Sequence, residues 1–426
     1  MVSNESGTEK QKRDWLKFLP GGIYTTSKYF GIFYLLKLIF RSAMEYIRTY
    51  FYILRVRGLK QAYSFFYTKF FVPAGEGAGA GIYFLLNPIV RRFPRLVPRP
   101  RYVEIEVTTI CPRKCIMCEH TYWKDQEERH LSLDEFKHIV NEFKGIRWLH
   151  LTGEGSSFTN PDYPKMLRHA KDKFISVYLV DTLDMMDEEK LEMLVDIKLE
   201  GIYISLDAAT KETYEKIRVG CNFYRVINNI NKLLEIKRKK KSLLPEVSFR
   251  NIILTENVHE MPDFVKLIAS FDTKMMGRGA RLDFVGNLEF PEVKQYSVAK
   301  VPEEIIKATM ENALKYNVNV FLSHIECKQN PSINQCIAWM EPYIIMGGYV
   351  MPCCNILMSN KRTVLREHAF GNIYKQSLSE IWNSERFRKF RDTITKPDAK
   401  VPFLCTMCRA YDFSERAKKY GVDETL

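Results

Sequence analysis

Cys111-Pro112-Arg113-Lys114-Cys115-Ile116-Met117-Cys118 is the stretch that decides the fold. It follows a run that alternates as a strand does, with Val103, Ile105 and Val107 set against Glu104, Glu106 and Thr108. A loop leaving a strand can curl three cysteines towards one point. Three is the informative number. A structural zinc site takes four ligands in a closed tetrahedron. An iron–sulfur cluster held by three thiolates keeps one iron free of protein ligands and open to a small molecule.

The cysteines of the whole chain fit a metal-binding protein. Of the 10 cysteines, all but Cys221 fall in two groups, at 111–118 and at 327–408. Ten are too few for a disulfide scaffold in 426 residues, and free thiols of this kind point to a reducing cytoplasm. The net charge is +13, but residues 1–100 hold 16 Lys/Arg against 5 Asp/Glu, so the excess belongs to the N-terminal hundred.

From residue 101 strands and helices alternate. Strand-like runs lie at 102–109, 146–151, 175–180, 201–206, 246–254 and 281–285. Between them come helical stretches with N-terminal signals, Ser132 with Glu135 and Asp187 with its acidic first turn. Six βα units make a parallel sheet with function at the strands' C-terminal ends. Periodicity leaves open whether that sheet closes.

The Cys111–Cys118 motif resembles that of the radical S-adenosylmethionine (SAM) superfamily, and the resemblance runs from about 101 to 412. It implies an α/β chain with an open, partial (β/α)6 barrel. Cys111, Cys115 and Cys118 would hold a [4Fe–4S] cluster, with SAM on its fourth iron. Reductive cleavage of SAM gives a 5′-deoxyadenosyl radical, which takes a hydrogen atom from an unactivated C–H bond. Met117 stands where the family usually has an aromatic residue near the adenine, which loosens that contact. Thr152-Gly153-Glu154-Gly155 follows the second strand, where the family carries Gly-Gly-Glu-Pro; small residues there let the chain approach a ligand. Ser205, at the end of the fourth strand, resembles the family's SAM-holding serine. Arg218 would meet the SAM carboxylate or stand as a solvated helix-end charge. Asp207 points the same way as Ser205 or caps the next helix. Cys221 reads as a small buried residue. Lys237–Lys241 reads as a solvated charge run at a helix end.

Beyond a linker near 286–302 and a helix at 303–316, Cys336, Cys353, Cys405 and Cys408 resemble the ligands of a SPASM or twitch-type auxiliary [4Fe–4S] cluster. Cys354 could replace Cys353, Cys327 is a spare, and structural zinc on four thiols is the alternative. A hairpin turning at Gly347-Gly348 and a helix capped by Ser377 and Glu380 belong to the same unit.

The N-terminal hundred reads as helical, basic and aromatic, with no cleavable signal peptide. Lys37, Arg41, Glu45, Arg48 and Arg55 interrupt the apolar run, so a simple spanning helix is not expected, and they fall within an arc of roughly 80° on a helical wheel. A narrow cationic stripe on a broad apolar helix fits a membrane interface, and Tyr63–Phe71 with Arg91, Arg92, Arg95 and Arg99 extend that character. The alternative is a helical cap packed on the catalytic domain or on a partner subunit. Nucleic acid is not an expected partner. The Gly/Ala-rich run at 73–81 is a hinge, and prolines 94, 98 and 100 make a linker.

Three domains follow: 1–100, 101–300 and 301–426. The expected function is a cytoplasmic radical SAM enzyme, peripheral on the inner face of the membrane, acting on a membrane lipid or lipid-linked substrate. Its electron donor would be a flavodoxin or ferredoxin. A peptide maturase that cross-links a ribosomal peptide, a sugar or cyclitol dehydrogenase, and a non-catalytic metal-binding scaffold are the alternatives.

Overall fold

The structure is a computed structural model and describes residues 21–71, 89, 92, 93, 97, 99–122, 125–277, 280–286, 291–323, 325, 341–356, 361–396, 398–408 and 412–426. Cys327, Cys336, Arg91, Arg95 and the Gly/Ala-rich hinge lie outside the described residues.

Seven parallel strands pair in chain order: β1 (Tyr102–Ile105), β2 (Trp148–Leu151), β3 (Ser176–Asp181), β4 (Gly201–Ser205), β5 (Glu246–Ile252), β6 (Arg281–Val285) and β7 (Asn319–Ser323). They form an open α/β barrel of the kind the family resemblance implies, with a seventh parallel strand beyond the six that the alternation gave. Val103, Ile105 and Val107 join Phe136, Ile139 and Val140 of the helix Leu133–Glu142 in the main core. The alternate residues Tyr102, Glu104 and Glu106 therefore face the inside. Parallel strands buried on both faces need apolar residues outward, and that face is nearly continuous in Val, Ile and Leu.

The sheet does not stop at residue 300. The helix Glu303–Tyr316 returns the chain to β7, which pairs with β6 along its length. At the other edge β8 (Tyr343–Ile345) adds parallel to β1, with Glu104 opposite Tyr343, and β9 (Tyr349–Met351) runs back antiparallel. The turn between β8 and β9 needs positive φ at Gly347 (93°) and Gly348 (79°), which is why two glycines stand there. The capping boxes at Ser132/Glu135 and Ser377/Glu380 and the cap at Asp187 are all present.

The N-terminal segment is one long helical element, α1 (Gly21–Phe71), broken where Gly31 and Gly58 leave helical geometry. It runs beneath the barrel, along residues at or before the starts of β1 to β5 and β7. The Tyr34 hydroxyl meets the β7 end at Val318 O and Val320 N, and Arg41 donates to Asn317 and Asn319. Tyr52 bonds Ser242, Arg57 the Lys171 carbonyl, Gln61 Glu200, and Lys69 Glu246. The cap anticipated as the alternative to a membrane helix is thus real for one face of α1. Its other face is exposed.

Two expectations from charge are corrected. Lys237 is not solvated: it is fully buried and donates to the carbonyls of Pro245 and Met275. It continues the inward stripe Val226, Ile230, Leu233 of the helix Phe223–Lys239, and burial pushes its amine down to about 7. Asp207 does not cap the next helix either. Thr210 does, its side chain accepting from Thr213 N.

Candidate active site

The cysteine loop leaves β1 and is fastened from outside its own sequence. Lys114 N donates to Val219 O and Ile116 N to Ile217 O, each at 3.0 Å, while Cys118 N closes a turn on Cys115 O at 3.1 Å. Backbone bonds hold the loop's path, so the three side chains are free to serve a ligand. Met117 is buried beside Cys115, Ile217 and Leu254.

Arg218 is brought to the loop, not left in solvent. Its Nε donates to the buried Asp207 carboxylate and its Nη1 lies 3.9 Å from Cys115 Sγ. Ile252 N donates to the other Asp207 oxygen at 2.7 Å, so β5 also fixes this pair. Burial would lower the Arg218 pKa, yet Asp207 and Cys115 hold it above its ordinary value. A hydrogen bond from Cys221 is the first cause that brings the Cys115 thiol down to about 6, Arg218 helping against burial. Cys221 is therefore a neighbour of the metal loop, which its place in the sequence did not disclose. Burial and the nearby Glu154 and Glu119 push Cys118 up, and burial raises Cys111.

The β2 turn closes the other side. Glu154 Oε2 lies 3.9 Å from Cys118 Sγ. A Cβ on Gly153 would come within 2.8 Å of Glu106 Cγ, and one on Gly155 would run into the Thr108 carbonyl. Both glycines are thus required by close passage along the β1 exit. Ser205 ends β4 with Arg250 as its register partner on β5. Arg250 was not among the sequence candidates; its guanidinium lies 4.7 Å above the Tyr203 ring.

In the C-terminal unit Cys353, Cys405 and Cys408 are buried, and the turn Cys354–Ile356 packs on Phe403–Met407. The Cys354 thiol is committed elsewhere, as one of the groups hydrogen-bonded to Glu104. Among the described residues no three His, Cys, Asp or Glu side chains converge on a point for a single metal ion. A cubane cluster spreads its thiolates over separate irons, so a three-cysteine loop of this kind still fits one.

An open parallel barrel with a three-cysteine loop at the exit of β1, a glycine-flanked acid at β2 and a serine at β4 is the architecture of a SAM-cleaving iron–sulfur enzyme. Residues 105–268 match the radical SAM superfamily, and residues 336–409 match the iron–sulfur cluster-binding domain called SPASM. The chain belongs to the radical SAM superfamily and carries a SPASM domain. With that membership come SAM, a [4Fe–4S] cluster and auxiliary iron–sulfur binding.

The chain is similar to a tungsten-containing aldehyde ferredoxin oxidoreductase cofactor-modifying protein of Pyrococcus furiosus, 23% identical over 76% of this chain and 91% of that protein. It is also similar to a PqqA peptide cyclase of Bradyrhizobium diazoefficiens, 23% identical over 69% and 76%. Among solved structures, Streptococcus suis SuiB bound to SAM covers 82% of this chain and 83% of its own, with a TM-score of 0.57 at 11% identity. The same protein bound to its precursor peptide SuiA gives 0.57 at 12% identity, over 80% and 79%.

Proposed function

We propose that the protein removes a hydrogen atom from a peptide substrate lying inside the barrel. The observation that carries this is the character of the inward face. Trp148 Nε1, His150 Nε2, Ser176 Oγ, Arg250 Nε and Tyr343 OH are buried polar atoms with no hydrogen-bond partner among the described residues. All five residues sit on the inward register of β2, β3, β5 and β8. An alkyl chain would leave these groups unsatisfied, at about 1–3 kcal/mol each, whereas amides, hydroxyls and carboxylates match them. Relatives that act on peptides support the same reading over the lipid substrate that the N-terminal composition suggested.

In this reading Cys111, Cys115 and Cys118 hold the SAM-binding cluster. Gly153, Glu154, Gly155, Ser205 and Met117 line SAM, with Arg218 held by Asp207 as the cation for its carboxylate. Cys336, Cys353, Cys405 and Cys408 hold the auxiliary cluster, with Cys353 rather than Cys354 because the latter's thiol serves Glu104. When bound, these groups supply the radical and a one-electron acceptor. A flavodoxin or ferredoxin is the donor this chemistry needs.

The test uses anaerobically reconstituted protein, SAM, a reductant and an extract of cells grown in heavy water, separated into peptide, small polar and lipid fractions. Deuterium should enter 5′-deoxyadenosine with the peptide fraction. Deuterium from the lipid or sugar fraction alone overturns the peptide reading. No 5′-deoxyadenosine from any fraction leaves a non-catalytic scaffold.

A second reading concerns where the enzyme works. The outer face of α1 exposes Phe33 (84%), Phe40 (69%), Phe51 (62%), Leu36 (53%) and Met44 (52%), with Lys37, Arg48 and Arg55 also exposed along the helix. No described helix is long and apolar enough to cross a membrane. A face that is both apolar and cationic fits an anionic bilayer surface, lying on it rather than through it. Intact protein should float with phosphatidylglycerol vesicles, and a Phe33→Ser/Phe40→Ser/Phe51→Ser variant should stay at the bottom of the gradient. Equal behaviour of the two removes the membrane reading.

A further inference from the structure

Glu104 and His150 are register partners on β1 and β2, both on the inward face of the barrel. Glu104 Oε1 lies 3.1 Å from His150 Nδ1 and accepts a hydrogen bond from the Tyr102 hydroxyl at 2.7 Å. Burial would raise the pKa of this carboxyl, but the bond to His150, the charge His150 carries when protonated, and the bonds from Tyr102 and Cys354 bring it down to about 2. The group is thus a carboxylate, which can only accept, so the hydrogen between it and the imidazole resides on Nδ1. The ring is held in place by Trp148, whose plane lies at 17° to it with centroids 5.8 Å apart. Trp148 in turn stacks on Tyr102 at 4.0 Å, and Tyr178 and Tyr67 complete an aromatic floor under the dyad.

What remains is Nε2. It is buried and has no hydrogen-bond partner among the described residues. His150 stands two residues before Thr152, where β2 runs out into the Gly153-Glu154-Gly155 turn, so it lies about 7 Å along the strand below the SAM motif. A carboxylate on one imidazole nitrogen and a bare second nitrogen form the arrangement by which a histidine takes up a proton. The carboxylate fixes the tautomer and neutralises the imidazolium.

We propose that His150, oriented by Glu104, is the proton acceptor of the reaction and takes the proton of a substrate N–H or O–H through Nε2. This rests on the reading that a polar substrate occupies the barrel. The carbon loses a hydrogen atom to the 5′-deoxyadenosyl radical. The adjoining N–H or O–H bond breaks, its proton going to Nε2 and its electron pair staying on nitrogen or oxygen. One electron then leaves to an iron–sulfur acceptor, and the carbon–heteroatom bond becomes double. His150 is the catalytic group here, Glu104 and Tyr102 the positioning residues.

The proposal needs no substrate to be tested. Imidazole nitrogens are read by NMR in the full chain labelled with 15N-histidine, at about pH 8.5, two units above the ordinary imidazole pKa. His150→Gln identifies the signal by its loss; Tyr102→Phe, which removes only a hydroxyl, identifies it by a shift should the first variant not fold. The expected result is hydrogen on Nδ1 and none on Nε2. Glu104→Gln, which replaces the carboxylate by a neutral amide, should move hydrogen onto Nε2. A proton resident on Nε2 in the wild type, as neutral tautomer or imidazolium, overturns the proposal. An unchanged tautomer in Glu104→Gln overturns the part assigned to Glu104. Failure of the polar-substrate reading would instead appear in the deuterium assay, with the tautomer unaffected.

Discussion

Replacing Cys111, Cys115 and Cys118 together by alanine should take the anaerobically reconstituted protein from about eight irons to about four, and end 5′-deoxyadenosine formation. The loop's backbone is tied to Val219, Ile217 and Cys115 through main-chain atoms alone, so the substitutions remove ligands without removing the bonds that shape the loop. Loss of iron therefore reports coordination and not collapse. The four irons that stay should show the Mössbauer signature of one [4Fe–4S] cluster on the C-terminal cysteines. A fall from about four to none would mean that the C-terminal set carries no iron cluster. The electron acceptor assigned to it would then have to lie elsewhere, while the hydrogen abstraction would stand.

Much of this architecture is written in local signals. The six strands from 102 to 285 stand out because alternating or continuous apolar runs are separated by capped helices, and both capping boxes are four-residue patterns that need no tertiary information. The cysteine spacing names its chemistry because few other arrangements use three thiols at a strand exit. What escaped notice depends on long-range contacts. The run Asn319–Ser323 is a strand because β6 offers an edge to it, not because five residues specify one. The parallel pairing of β8 with β1 could not be inferred from a hairpin that reads as self-contained. Lys237 was legible in part: its spacing from Val226, Ile230 and Leu233 puts it on the buried face, but its neighbours in a charge run concealed that. Arg218 is the reverse case, a residue whose two readings only the position of Asp207 and Cys115 could separate. Glu104 and His150 look like ordinary alternation along two strands, and their meeting is a property of register.

The same dependence on register gives the largest expected effect on stability. Arg362 belongs to the C-terminal unit and Glu106 to the exit of β1, and their ion pair is fully removed from solvent on both sides. Glu106 Oε2 also accepts Met346 N at 2.8 Å, and Glu106 N donates to Ile344 O at 2.9 Å, so one residue holds the hairpin of the SPASM unit to the barrel. Arg362 adds a bond from Nε to Gln126 at 2.9 Å. Arg362→Met leaves the Glu106 carboxylate buried without its counter-charge, and should lower the free energy of unfolding by about 3–5 kcal/mol. Glu106→Gln should cost a similar amount from the other side, since it leaves a buried guanidinium facing a neutral amide. The double variant should lose clearly less than the two singles combined, because the second change removes the charge stranded by the first. Urea denaturation of the four proteins measures this directly. Additivity within about 0.5 kcal/mol would mean the two groups do not interact across the junction. The pair lies beneath Gly153, whose missing Cβ would meet the Glu106 side chain. Loss of the pair should therefore also weaken SAM binding, which ties the stability of the junction to the geometry of the site.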